Sequence, residues 1–154
     1  MSSRGWIGVD LDGTLAHYEG WVGPEHIGDP IPLMLLRVKR MLEAGEDVRI
    51  FTARVYSDGS EDGNRRAFIC QLAIKRWCML HLGCELPVTC MKDYSMKELW
   101  DDRVVQIEIN TGKRLDGSDI CGMCLGAGEL LLPESNLTGV TEDCRDCNGI
   151  GRLP

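Results

Sequence analysis

Residues 5–14 read Gly5-Trp6-Ile7-Gly8-Val9-Asp10-Leu11-Asp12-Gly13-Thr14. The first five are apolar or glycine, the length and composition of a buried strand, and they run directly into two aspartates spaced two apart. Residues two apart on extended backbone face the same way, so Asp10 and Asp12 can share one side. Gly13 then permits a sharp turn. A buried strand that ends in paired carboxylates points to a parallel sheet with a site at its carboxyl edge.

The chain beyond supports that reading. Residues 16–30 are punctuated by Gly and Pro and read as an ordered loop. Helical spacing runs over 32–44, with Leu33, Leu36, Val38, Met41 and Leu42 on the apolar side and Gly45 as the stop. A second strand follows at 47–51 and ends at Thr52, and 55–63 reads as a polar loop. The longest helix is expected over 64–82, buried through Phe68, Leu72, Ile74, Cys78, Met79 and Leu82. Further strands are expected at 88–91, 98–100 and 104–109, and a linker at 111–120. Alternating strands and helices predict an α/β fold, a Rossmann-like parallel sheet covered on both faces. Asp10, Asp12, Thr52, Lys92, Asp101 and Asp102 would then all lie at the carboxyl ends of strands.

The 154 residues carry a net charge of -7, which disfavours nonspecific binding to nucleic acid or to an anionic membrane. From Asp119 onward there are six acidic and two basic residues, leaving eighteen and fifteen in the larger part, where a local basic patch can persist. No apolar run has the length of a signal peptide core or a membrane helix, so a cytoplasmic protein is expected. In that compartment its eight cysteines are thiols or metal ligands rather than disulfides.

After residue 118 the sequence repeats itself. Cys121-Gly-Met-Cys124-Leu-Gly126-Ala-Gly128 matches Cys144-Arg-Asp-Cys147-Asn-Gly149-Ile-Gly151, both copies fitting CxxCxGxG. Cys121, Cys124, Cys144 and Cys147 have the spacing of a structural zinc site, with four thiolates closing the coordination shell. This segment has too few large apolar residues for a core of its own and would fold around its metal as a stapled β-hairpin pair. The domains are therefore drawn at 1–118 and 119–154. Cys70, Cys78, Cys84 and Cys90 lack such spacing, and the first two read as small core residues.

Phosphoryl transfer to a carboxylate needs a nucleophile, a cation, donors for the equatorial oxygens and an acid for the leaving group. Asp10 and Asp12, the Thr52 hydroxyl, the Lys92 ammonium, and an oxygen cage from Asp101 and Asp102 offer these. The segment VDLDGTLA resembles the first motif of the haloacid dehalogenase (HAD) superfamily, and IFTAR its second. Lys92 and, nine residues on, LWDDR resemble the third and fourth motifs of its small members, so the likeness spans residues 5–109. The resemblance implies a Mg²⁺-dependent phosphatase. Asp10 would attack phosphorus, and Asp12 would protonate the leaving group and then activate water while its backbone carbonyl reaches the metal. Thr52 and Lys92 would hold the phosphoryl group, Lys92 being preferred to Lys97. One or both of Asp101 and Asp102 would complete the metal site.

Neither interval where such proteins insert a cap domain is long enough for one, so residues 16–30 can form only a flap. Trp21 and His26 lie in that flap, where they can stack on a base or sugar or simply pack the loop. Arg54 can bind phosphate or substrate, or sit in an exposed ion pair. WDDRVVQI also resembles a short segment of bacteriophage polynucleotide 3′-phosphatases, which raises nucleotides and nucleic-acid ends as substrates. The cysteine repeat resembles half of the cysteine-rich region of DnaJ-type co-chaperones, and anti-TRAP proteins; the stapled hairpin pair can contact a protein or nucleic-acid partner or fold back on the larger domain. Two other functions stay open: a scaffold on which the zinc module does the binding, and a phosphotransferase with the same nucleophile.

Overall fold

A computed structural model describes residues 5–116, 121, 124, 128–131, 141–145 and 147–149. The chain divides into two compact units, Met1–Arg103 and Val104–Pro154, whereas the sequence reading ended the larger one at residue 118.

The first unit is α/β. Strand β1 (Trp6–Val9) leads through helix α1 (Pro32–Glu43) to β2 (Asp47–Phe51). A 3₁₀ turn (Ala53–Val55) and helix α2 (Glu61–Leu82) lead on to β3 (Val88–Thr89) and β4 (Met96–Trp100). The four strands form one parallel sheet in the order β3-β2-β1-β4. The order reverses at β1: the chain runs out to β2 and β3 on one side of it and returns to β4 on the other. The crevice at such a reversal is where open α/β sheets bind ligands. Register between β1 and β4 is not uniform: Trp6 faces Met96 but Ile7 faces Glu98, so Lys97 is an extra residue on β4.

Helix ends follow local chemistry. Pro32 opens α1 at a position where its missing N–H costs nothing. The helix closes in a Schellman arrangement, Gly45 N–H donating to Leu42 O and Glu46 N–H to Met41 O, with Gly45 at φ 76°. Helix α2 begins three residues before the expected start, because the Ser60 hydroxyl accepts from Gly63 N–H and Glu61 and Asp62 favour the positive end of the helix dipole.

Ile7, Val9, Val48 and Ile50 alternate onto one sheet face and join one core with Met34 and Val38 of α1 and Ile74, Trp77 and Cys78 of α2. Burying these side chains at roughly 25 cal/mol per Å² of apolar surface is the main stabilising term. The buried stripes differ from those expected. Leu33 and Leu36 of α1, and Phe68, Leu72 and Met79 of α2, are exposed, whereas Val38, Ile74, Cys70 and Cys78 are buried as expected and Met34 and Trp77 join them. The expected helix cover on both faces is also corrected. Both helices join the single core, while on the alternate residues the Arg49 guanidinium lies 4.8 Å over the Trp6 ring, which also meets Phe51.

In the second unit, 104–109 is not the expected strand. Its only pairing among the described residues is an isolated antiparallel bridge between Ile107 and Arg114. Leu115 N–H donates to Gln106 O and Glu108 N–H to Lys113 O. Asn110 and Gly112, both at positive φ, turn the chain between them, so part of the expected linker is a tight hairpin turn. Strands β5 (Glu129–Leu131) and β6 (Thr141–Asp143) pair antiparallel as a separate small hairpin. Gly126 and Gly151 of the repeat lie outside the described residues. No helix among the described residues is long and apolar enough to cross a membrane.

Candidate functional site

The end of β1 is tied to the end of β4 by the main chain: Asp10 N–H donates to Trp100 O at 2.8 Å. This brings Asp10 beside Asp101 and Asp102, and carboxylate oxygens of the three lie within 4.8 Å of one another. Thr14 joins the group. Its hydroxyl accepts from Asp102 N–H at 3.0 Å and lies 3.2 Å from Asp102 Oδ1 and 3.4 Å from Asp10 Oδ2, with one proton to offer the two. Gly13 makes the turn possible at φ 88°. A Cβ there would come within 2.9 Å of Asp102 Oδ2, so no other residue fits without displacing that carboxylate.

Three convergent carboxylates repel. The Asp10 carboxyl is pushed up to about 7, by burial first and then by Asp101, with Asp102 and Asp12 adding to the rise and the Leu11 backbone hydrogen bond opposing it. A site that resists a third negative charge is one that a cation would relieve, and an oxygen-only donor set suits a hard divalent ion.

Asp12 is not part of that cluster. Both its oxygens are held by Arg54, whose Nε donates to Oδ2 at 2.6 Å and Nη2 to Oδ1 at 2.7 Å. Arg54 Nη1 donates to the backbone carbonyl of His26 at 2.8 Å, and its guanidinium carbon lies 5.0 Å from the centre of the Trp21 ring. Arg54 is buried, so its ion pair is an interior one. Thr52 is also buried and accepts from Arg54 N–H at 3.3 Å, which sets the 3₁₀ turn that carries the arginine.

An open cleft of about 450 Å³ lies over these residues. Asp10, Asp12, Trp21, Thr52, Arg54 and Asp101 line it. Lys92 is exposed on the connection between β3 and β4 and is not among the lining residues, nor is His26, which enters the network through its backbone carbonyl. Lys97 pairs with Glu46. Sequence reasoning did not single out Thr14, Tyr18, Phe51, Arg66 or Arg103, of which the last four line the cleft. Thr14 carried a legible signal, lying two residues past Asp12, and Arg103 follows the acidic pair directly. Tyr18, Phe51 and Arg66 carried none.

The second unit holds the four repeat cysteines together, all buried. Cys121 and Cys144 Sγ are 3.7 Å apart, as are those of Cys124 and Cys147. Sulfurs at about 2.3 Å from a zinc ion in tetrahedral geometry are about 3.8 Å apart along each edge. The spacing therefore fits a Cys₄ metal site and is far too long for disulfides. Gly128 N–H donates to Cys124 Sγ at 3.3 Å, and Cys144 N–H donates to Gly128 O at 2.7 Å, so the hairpin backbone orients the ligands. The cluster is compatible with structural zinc.

Neither a family model nor a curated protein matches this chain. A solved structure of a conserved protein from Bacteroides thetaiotaomicron matches at 21% identity and TM-score 0.44, covering 66% of this chain and 78% of its own. At that similarity it bears on neither function nor site.

Proposed function

We propose that the first unit is a Mg²⁺-dependent phosphomonoester hydrolase of the HAD type working through an aspartyl phosphate. The observation that carries the reading is the convergence of Asp10, Asp101 and Asp102 at the carboxyl end of β1, where the sheet order reverses. When bound there, Mg²⁺ supplies positive charge that lets an anionic phosphate approach a carboxylate. Asp10, Asp101 and Asp102 are the residues to hold it. An Asp10 oxygen attacks phosphorus, the O–P bond to the leaving group breaks, and Asp12, when protonated, gives its proton to that oxygen. Asp12, now a carboxylate, takes a proton from water as the water oxygen attacks phosphorus. The Asp10–phosphate bond breaks, releasing phosphate and restoring both groups. Thr52, Arg66 and Arg103 are positioned to bind phosphate oxygens or an anionic substrate, and the Tyr18, Trp21 and Phe51 rings suit a flat leaving group such as a nucleoside.

The decisive experiment is a phosphatase screen with Mg²⁺ over nucleotides, sugar phosphates, 3′- and 5′-phosphorylated oligonucleotides and phosphopeptides. Turnover is expected for at least one class and should vanish in Asp10→Asn, which keeps the shape but not the nucleophile. Near-normal turnover by a folded Asp10→Asn protein removes the aspartyl-phosphate mechanism.

A further inference from the structure

We propose that Arg54 is a positioning residue that clasps the Asp12 carboxylate to the flap of residues 16–30, so that occupancy of the cleft beside Trp21 acts directly on the acid–base group. The proposal rests on the phosphatase reading for its catalytic consequence, but its geometry stands apart from it. Arg54 extends three ways at once. Nε and Nη2 take both oxygens of Asp12, Nη1 takes the His26 carbonyl, and the guanidinium plane lies by Trp21. Its own main chain is pinned by the Thr52 hydroxyl, so the fork is aimed from a fixed turn. The side chain of the pair is 6% exposed on the Arg54 side, and Trp21 is half exposed. A buried anchor therefore carries a ring that a ligand can reach.

Two consequences follow. The first is segregation. Asp10, Asp101 and Asp102 cluster as oxygen donors, and Asp12 stays out because Arg54 holds both its oxygens. One carboxylate of four is thus kept from the metal cluster for as long as the arginine holds it. The second is coupling. A ligand group displacing Trp21 or shifting the flap must disturb the guanidinium, which is bonded to Asp12. Lysine cannot replace this arrangement, because a single ammonium offers no planar fork for two carboxylate oxygens and a carbonyl together.

Two arms test the proposal. The first needs no activity. Amide exchange is followed at His17 and His26, whose N–H groups donate to Asp29 O and Gly23 O within the flap. The Ile50 amide, bonded to Pro87 O in the sheet, reports on the fold as a whole. Asp12→Ala should speed flap exchange about tenfold while Ile50 is unchanged, as expected when local opening is uncoupled from global unfolding. Should Asp12→Ala unfold, Asp12→Asn, which keeps one acceptor, should give a smaller increase in the same amides. Unchanged flap exchange in the folded variant overturns the clasp.

The second arm compares p-nitrophenyl phosphate, whose leaving group departs without a proton, with β-glycerol phosphate, whose alkoxide needs one. Arg54→Lys should lower kcat/KM for the glycerol ester about tenfold more than for the aryl ester, within the range general acid catalysis supplies. Equal losses on both esters overturn the positioning role, since a merely structural arginine would affect both alike. If the wild-type protein hydrolyses neither ester nor any compound of the screen, the phosphatase reading fails. The exchange arm still decides the clasp in that case.

Discussion

Replacing Asp10 with Asn should stabilise the magnesium-free protein, and the gain should depend on pH. The Asp10 carboxyl titrates near 7 in the folded chain against an ordinary value of 3.8, through burial and then the Asp101 charge. A raised folded value means that stability is fully present below 3.8, where the group is protonated whether folded or not. It is lost progressively as pH rises towards 7, because the unfolded chain releases a proton that the folded chain retains. At about 1.4 kcal/mol per tenfold step in proton affinity, the full deficit has a ceiling of about 4 kcal/mol. Solvent reaches part of this carboxylate, and screening brings the working figure to about 1–2 kcal/mol. For a unit of this size that is about 5–10 °C in Tm. The assay is thermal unfolding of wild type and Asp10→Asn at pH 5 and pH 8, in magnesium-free buffer without chelator so that any cysteine-bound metal stays in place. The advantage of the variant should grow between the two pH values by about 1 kcal/mol. Adding Mg²⁺ should then stabilise the wild type more than the variant, closing the gap. An Asp10→Asn protein no more stable than wild type at pH 8, or equally favoured at both pH values, refutes the argument from crowded charge.

Thr14→Val removes the hydroxyl shared by Asp10 and Asp102, so the Mg²⁺ concentration giving half-maximal activity should rise about tenfold, the usual cost of losing a ligand-orienting group; an unchanged Mg²⁺ dependence counts against that role. Metal analysis should find one zinc ion per chain, and Cys121→Ser with Cys124→Ser should abolish it and expose the Cys144 amide, now bonded to Gly128 O, to rapid exchange. Activity on p-nitrophenyl phosphate should survive that double change, because the first unit has its own core. Burial pushes the Cys78 thiol up to about 12, so at pH 8 iodoacetamide should label the half-buried Cys84 and Cys90 well before Cys78, as mass spectrometry of timed samples would show.

What the sequence showed most clearly was what short-range chemistry decides. Trp6–Val9 is fully buried and could hardly be anything but a central strand, and 47–51 coincides with β2 residue for residue. Gly45 ended α1 as a glycine in the left-handed region should. The start of α2 was misread because Glu61, Asp62 and Gly63 look like loop, although Ser60 supplies a capping hydroxyl. Which helix face is buried was harder. Apolar residues surround both helices, and only the packed sheet selects Met34, beside the expected Val38, over Leu33 and Leu36. The β-branched run from Val104 reads as strand by propensity, but its pairing is decided by the turn at Asn110 and Gly112. In the site, Asp10, Asp101 and Asp102 could be brought together on paper because each follows a strand. The grip of Arg54 on Asp12 could not, since it joins residues 42 apart in the chain through the angle of one 3₁₀ turn.

The extra residue on β4 has a bearing on how this site can change over generations. Past the extra residue Lys97 the pairing is regular, so Trp100 stands opposite Val9, which in turn presents the Asp101–Asp102 pair to Asp10. Amino-acid substitutions along β4 leave that alignment alone, because a main-chain bond holds it. A one-codon deletion within Glu98–Trp100 would not: the chain past the gap would fall one residue out of step and draw the two aspartates away from Asp10, whereas loss of Lys97 would only make the ladder regular. The strand can therefore drift freely in composition while the length of its regular run is frozen, and viable relatives should vary in letters between positions 98 and 100 but not in their number, with a residue lost or kept only at the bulge.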